Sequence, residues 1–432
     1  MKTTTKRALS ILAVTALLVV LGYAGAVAYD LQQRYPQTRG SLAASALKTQ
    51  LERGRYIADL ADCVACHSAP GGQPFAGGYR LETPFGPLLS SNITSDPQTG
   101  IGGWTQEQFD RAVRHGKGSH GYLYPAMPYT AYGRLTDQDL ADLWQYIRTL
   151  PPVSNAVVEN QLPFPFDQRW LLAGWNLLFF RATPFEPDPR RSDAFNRGDY
   201  LVNGPGHCTV CHTAVNFLGG DSEDSLQGAV LAGWHAPDLT GNLHTGLGHW
   251  TADDIVLYLK TGTNRLSVAS GPMTEAIENS TQYLTEEDLA AIAEYLKTLP
   301  ASVKPRAEQL SSVAPAMVSG KRIYDSQCSA CHVSDGSGVR QMIPTLAGNP
   351  VVNARDPASL LRMLLNGSDG PRTAGNPTGA GMPAFDWRLA DDQVAAVLTY
   401  IRNTWGNAAP GVDARQAEQS RQETGARPWA GG

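Results

Sequence analysis

Charge is scarce in this sequence. Asp, Glu, Lys and Arg make up 17% of its 432 residues, and the formal net charge is −5. No basic excess exists to attract nucleic acid. Cysteine is scarcer still, six in all, far too few for a disulfide-stapled scaffold. Only one long apolar run is present, at the N-terminus, with no counterpart at the C-terminal end. The G-x-G-x-x-G fingerprint, the G-x-S-x-G elbow and the H-E-x-x-H pair are all lacking, so no residue is assigned to substrate chemistry. What remains is globular: 42% of residues are apolar, too many for a disordered chain. The 43 glycines and 29 prolines predict much turn and loop. At roughly 150 residues per domain, the length predicts about three domains.

The N-terminus carries Lys2, Lys6 and Arg7, and residues 8–29 then run 22 positions without a charge. A spanning helix needs about 20 apolar residues, and the core of a cleaved signal only about 7–15. Residues 1–30 therefore read as a transmembrane anchor in the inner (cytoplasmic) membrane. The basic end stays in the cytoplasm, and the remainder lies on the periplasmic side. A cleaved signal, with Ala26-Val27-Ala28 as its site, is the competing reading. Either way the rest of the chain meets an oxidising compartment, where free thiols are unusual.

All six cysteines fall in three copies of one motif: Cys63-Val64-Ala65-Cys66-His67, Cys208-Thr209-Val210-Cys211-His212 and Cys328-Ser329-Ala330-Cys331-His332. The flanks repeat too. Gly54 and Tyr56, Gly198 and Tyr200, and Gly320 and Tyr324 precede the motifs. Helices predicted to start at Thr136, Thr285 and Ala390 follow them. Their stripes are Leu140, Leu143 and Ile147; Leu289, Ile292 and Leu296; and Val394, Val397 and Ile401, each an i, i+3, i+7 face. Thr136 with Asp139, and Thr285 with Asp288, resemble capping boxes with Asp in place of Glu. Three copies of one unit are expected, at 51–152, 193–301 and 318–407. A connector covers 153–192, a linker 302–317, and a disordered tail 408–432.

Two thiols three positions apart reach the two vinyl groups of one porphyrin, and the histidine that follows supplies an axial nitrogen to iron. A redox disulfide would need a lone motif in a βαβ setting. Zinc would need four ligands per site, and the third unit has no histidine besides His332. Three covalently bound haem c groups are therefore expected, attached through Cys63, Cys66, Cys208, Cys211, Cys328 and Cys331. His67, His212 and His332 would ligate the iron.

Methionines supply the second axial ligands. Met127 and Met273 lie 60 and 61 residues after their histidines, and Met382 lies 50 residues after His332. Met363, in an apolar helical stretch, reads as core. His115, His120, His207, His235, His244 and His249 do not repeat between units and read as surface or outer groups. His/Met ligation closes the iron and raises its potential relative to two histidines, which suits electron transfer. The histidine Nδ1–H needs a carbonyl. Pro237 and Pro344 are candidates, with Pro84 or Pro87 in the first unit.

Asp62-Cys63-Val64-Ala65-Cys66-His67, Asn92-Ile93-Thr94 with Gly100-Ile101-Gly102, Tyr124-Pro125-Ala126-Met127-Pro128-Tyr129, Arg197-Gly198-Asp199-Tyr200-Leu201-Val202 and Gly204-Pro205-Gly206-His207-Cys208 carry a resemblance. The chain resembles the tri-haem cytochrome c subunits of membrane-bound periplasmic dehydrogenases, of the alcohol, aldehyde, gluconate, sorbitol and fructose type. That resemblance implies an all-α chain: a transmembrane helix, then three class-I-type cytochrome c domains with long loops. It implies an electron-transfer subunit that is not an enzyme on its own. Its electrons would come from a catalytic subunit of flavin, pyrroloquinoline quinone or molybdenum type, with a small third subunit as a further partner. They would pass to ubiquinone or a terminal oxidase in the respiratory chain. The alternative is a self-standing multihaem enzyme, such as a cytochrome c peroxidase or a thiosulfate-oxidising cytochrome.

Residues 162–185 carry seven aromatics, among them Trp170, Trp175 and Phe180. The apolar helical part, 170–180, is too short to span. Core between haem units, contact with membrane or quinone, and contact with a partner subunit are all open readings.

Overall fold

The computed structural model describes residues 2–32 and 49–425. It is mainly helical. α1 (Lys2–Gln32) holds the N-terminal apolar run, and its part Leu12–Gln32 is long and apolar enough to cross a membrane. The first repeat contains α2 (Gln50–Leu60), α3 (Cys63–Cys66), α4 (Gln106–His115), α5 (Tyr129–Tyr132) and α6 (Asp137–Ile147). After α7 (Leu172–Phe179) in the connector come α8 (Asp193–Asn203), α9 (Cys208–His212), α10 (Ala252–Thr261), α11 (Pro272–Asn279) and α12 (Glu286–Thr298). The third repeat holds α13 (Pro315–Gln327), α14 (Ser329–His332), α15 (Pro350–Asn353), α16 (Ala358–Asn366) and α17 (Asp391–Ile401), and α18 (Ala414–Gly425) follows it. Short antiparallel ribbons qualify the all-helical expectation: Arg80–Thr83 with Gly86–Leu89, Lys117–Gly118 with Gly121–Tyr122, and Ala229–Leu231 with Trp234–Ala236.

In every repeat the first helix crosses the closing helix at a glycine. A Cβ on Gly54 would lie 2.0 Å from the Asp142 carbonyl oxygen, one on Gly198 2.0 Å from that of Ala291, and one on Gly320 2.1 Å from that of Ala396. Backbones approach this closely only where no side chain intervenes. The crossings bury the predicted stripes, from Leu140, Leu143 and Ile147 through to Val394, Val397 and Ile401.

The closing helices start where the sequence predicts. Thr136 and Thr285 accept N–H bonds from Asp139 and Asp288 at 3.1 and 3.2 Å. The two aspartate side chains do not complete reciprocal capping boxes, however. Those form instead at Thr49/Glu52, Thr105/Gln108 and Thr251/Asp254. Asp139 and Asp288 reach across to the other repeat. Tyr200 donates to Asp139 and Tyr56 donates to Asp288, each at 2.5 Å. Repeats one and two accordingly share one hydrophobic core, whereas the third has its own. In the third repeat Gln393 stands at the corresponding position and caps Ala390 N–H, and Tyr324 donates to its own repeat at Val333 O.

The tail departs from the expectation of disorder beyond residue 408. Ala408, Ala409, Val412 and Ala417 are buried. Arg421 on α18 pairs with Asp391 at 2.9 Å and donates to the Leu389 carbonyl at 2.8 Å. The small buried side chains of Ala417 and Ser420 let α18 lie close on α16 and α17, and the arginine holds it there. Residues 426–432 of that tail lie outside the described residues.

The connector divides its aromatics. Phe180 packs edge-on against Tyr129 of the first repeat, and Phe185 lies against Tyr200 of the second, with centroids 5.0 and 5.2 Å apart. Trp170, Leu177 and Leu178 are exposed.

Candidate cofactor sites

Each motif is one helical turn that places two thiols and an imidazole on neighbouring positions. In the first repeat the chain leaves α2 through Asp62 in the left-handed region (φ 47°), and His207 (φ 39°) plays the same part in the second. Such a residue reverses the chain direction, and aspartate tolerates it better than most. In the third repeat α13 runs directly into the motif, with Cys328 as its C-cap. The His67 and His332 N–H groups bond back to the Cys63 and Cys328 carbonyls at 3.0 and 2.9 Å, which closes the turn.

None of the six cysteines forms a disulfide. Burial pushes the Cys63 and Cys208 thiols up to about 12 and the Cys328 thiol up to about 11. Such surroundings disfavour the thiolate that a zinc site or a redox dithiol needs and suit a neutral thioether. Among the described residues no three His, Cys, Asp or Glu groups gather as a metal cluster would require.

The histidines are oriented from behind. His67 Nδ1 bonds to the Ser91 carbonyl and His212 Nδ1 to the Pro237 carbonyl, both at 2.7 Å. Burial lowers the proton affinity of both rings, which keeps them in the neutral form that ligates metals. The carbonyl bond fixes the Nδ1–H tautomer and leaves the Nε2 lone pair available to a ligand. Pro237 is thus where the sequence puts the acceptor, but Pro84 and Pro87 are not used in the first repeat. Pro87 is tied into the ribbon opposite Glu82, and Ser91 takes the role. The turn that presents each carbonyl is the same: Thr94 N–H bonds to Asn92 Oδ1 at 3.0 Å, and Thr240 N–H to Asp238 Oδ1 at 2.8 Å. In the third repeat burial lowers the proton affinity of His332 and the facing Pro344 carbonyl offsets only part of that, while Nδ1 stays short of hydrogen-bond geometry.

The three methionines occupy equivalent topological places. Each follows a helix that ends on a glycine with positive φ: Gly116 after α4, Gly262 after α10 and Gly367 after α16. Met127 packs on the core that Cys63 and Cys208 also line, and Met382 on the core containing Cys328. Met273 is not packed on the shared core. It sits in the first turn of α11, a helix that abuts α3 of the first repeat. Met363 packs inward from α16, and Met342 is exposed.

The remaining histidines occupy unrelated places. His115 is buried beside Lys117 and Arg114, and His207 bonds Pro205 O at 3.1 Å and meets the Tyr132 ring edge-on. His235 lies against the third repeat, where its N–H donates to Ser359 Oγ at 2.8 Å. His120 and His249 are exposed and His244 half-buried.

The first two motifs are neighbours. Cys66 and Cys211 lie close enough that charge on one acts on the other, and Asp62 acts on both. Burial, and then Glu275 on α11, push the Asp62 carboxyl up to about 8. Sequence reasoning missed this interleaving, although the repeated Gly-x-Tyr and the repeated Asp at the third position of the closing helices were its signal.

A one-turn cysteine pair followed by an imidazole, present three times and anchored to a carbonyl in two of them, marks a protein of the covalent-haem class. The cytochrome c family model matches residues 51–151, 196–300 and 317–405, and the chain belongs to that family. It is similar to the alcohol dehydrogenase (quinone) cytochrome c subunit of Gluconacetobacter polyoxogenes, at 40% identity over 397 residues, covering 87% of this chain and 85% of that one. The gluconate 2-dehydrogenase cytochrome c subunit of Pantoea cypripedii is 41% identical over 380 residues, covering 83% and 86%. The fructose dehydrogenase cytochrome subunit of Gluconobacter japonicus is 39% identical over 410 residues, covering 88% and 84%.

Proposed function

We propose that this chain is the tri-haem electron-transfer subunit of a periplasmic dehydrogenase complex, anchored in the inner membrane and delivering electrons to ubiquinone. The observation that carries it is the threefold recurrence of one donor set: a cysteine pair, a histidine held or faced by a carbonyl, and a methionine after a positive-φ glycine. Cys63 and Cys66 would hold the first haem, with His67 and Met127 on its iron. Cys208, Cys211, His212 and Met273 would serve the second, and Cys328, Cys331, His332 and Met382 the third. Haem c held by these histidines and methionines would supply one-electron transfer rather than substrate chemistry.

The chain's own residues set the conditions. Ser91 and Pro237 fix the histidine rings, and the interlock of Tyr56 and Tyr200 holds the first two repeats in one register. The neighbouring Cys66 and Cys211 would place the first two attachment sites side by side. Named relatives serve alcohol, gluconate and fructose dehydrogenases, so a catalytic subunit for an alcohol, aldehyde or sugar substrate is the partner this reading requires.

Retention of α1 supports membrane attachment. Lys117 is buried, and Asp30 meets its ammonium at 2.8 Å and accepts from the Tyr122 hydroxyl at 2.7 Å. Cleavage after Ala28 would leave the carboxylate that neutralises this lysine on a loose new terminus. Purification from detergent-solubilised membranes tests the reading: a large dehydrogenase subunit should co-purify, and dithionite-reduced haem should reoxidise on adding a ubiquinone analogue. A monodisperse, soluble haem protein with peroxidase turnover would overturn it.

A further inference from the structure

We propose that α7 and the loop that leans on it form a second lipid contact, a monotopic ledge immersed in the periplasmic face of the bilayer beside α1; the proposal rests on reading α1 as a retained span.

α7 is fastened to α1 at a level inside the apolar run. The Tyr23 hydroxyl donates to the Trp170 carbonyl at 3.1 Å and accepts from Gly174 N–H at 2.9 Å, and the two rings meet edge-on at 5.9 Å. Asp30, paired with Lys117, marks the polar end of the helix. From Tyr23 to Asp30 the rise is about 10 Å at about 1.5 Å per residue, the depth to which interfacial helices sink. Lipid around α1 at Tyr23 therefore also reaches α7.

The surface of α7 suits that depth. No charge occurs between Arg169 and Arg181. Leu177, Leu178 and Trp170 are 79%, 71% and 50% exposed, an unusual display for an apolar helix facing water. Phe217, 90% exposed, extends the same face, because Trp175 Nε1 donates to the adjacent Leu218 carbonyl at 2.9 Å and Phe179 packs on Gly220. Tryptophan beside tyrosine at the boundary is the usual composition of an interfacial belt. Arg169 is turned back to the Tyr122 carbonyl at 2.9 Å, away from the apolar face.

A bilayer-partitioned phenyl-diazirine, photolysed with the full haem-loaded chain in phosphatidylethanolamine/phosphatidylglycerol vesicles and mapped by peptide mass spectrometry, tests this. Label should appear on α1 and on peptides containing 170–180 and 217–218, at about fivefold or more over those containing the equally exposed Trp387 and Val303, as expected for immersion rather than mere exposure. Leu177→Glu/Leu178→Glu should remove the α7 label and leave that on α1 and the haem content unchanged. Label on α1 with α7 at the Trp387 level would overturn the ledge and point to a protein partner as its cover. Label on neither would overturn the span and the ledge together.

Discussion

The Tyr56 hydroxyl donates a 2.5 Å hydrogen bond to the Asp288 carboxylate, 232 residues away in the chain, and Tyr200 makes the mirrored bond to Asp139. Each hydroxyl also accepts an N–H from the helix start it meets, Thr285 at 3.2 Å and Thr136 at 3.3 Å. Burial and the facing carboxylates keep both phenols protonated, so both remain donors.

Tyr56→Phe and Tyr200→Phe should each destabilise the first two repeats by about 1–3 kcal/mol, the range for leaving buried polar atoms unsatisfied. In Tyr56→Phe, Arg197 still pairs with Asp288 at 2.7 Å, so that loss should fall short of a broken ion pair. Urea unfolding of the haem-loaded chain measures it. The third repeat, which lacks the bond, should unfold as before.

Gly54→Ala, Gly198→Ala and Gly320→Ala should disrupt their helix crossings. The new methyl would sit 2.0–2.1 Å from a carbonyl oxygen, and only separation of the helices relieves that. Overpacking costs about 1–3 kcal/mol, and more where backbone must move. Each variant should lower the melting temperature and haem retention of its own repeat, readable by absorbance on heating.

Burial pulls the His115 imidazole down to about 3, far below its unfolded value of about 6.5. Between those values the unfolded chain holds a proton that the folded chain refuses, so stability falls as pH drops from about 6.5 towards 3 and is flat above. His115→Gln should flatten this part of the melting-temperature profile. An unchanged acid slope would show that other groups set it.

Met127→Leu, Met273→Leu and Met382→Leu should each convert one haem from low-spin His/Met to a high-spin or water-ligated form. The fold should survive, since such volume-conserving swaps cost less than about 1.5 kcal/mol. Met363→Leu should leave the spectrum unchanged, because Met363 packs inward from α16. The absorbance of oxidised iron near the sulfur–iron charge-transfer band reports it.

Local features were readable in the sequence. The starts of the closing helices at Thr136, Thr285 and Ala390 follow from periodicity and capping, which act over a few residues. The Pro237 acceptor was also within reach. Ser91 was not, because a backbone carbonyl leaves no signature in residue type. Nor was the Tyr56–Asp288 bond: Asp288 looks like a cap in its own helix, and only the tertiary arrangement redirects it. The tail misled by composition, since Arg421 finds Asp391 only once α17 is in place.

Haem content tests the central claim most directly. Pyridine haemochrome analysis of the purified chain, set against amino-acid quantitation, should return three haem c per polypeptide, with low-spin reduced spectra. Two or fewer, or a mainly high-spin reduced form, would contradict it.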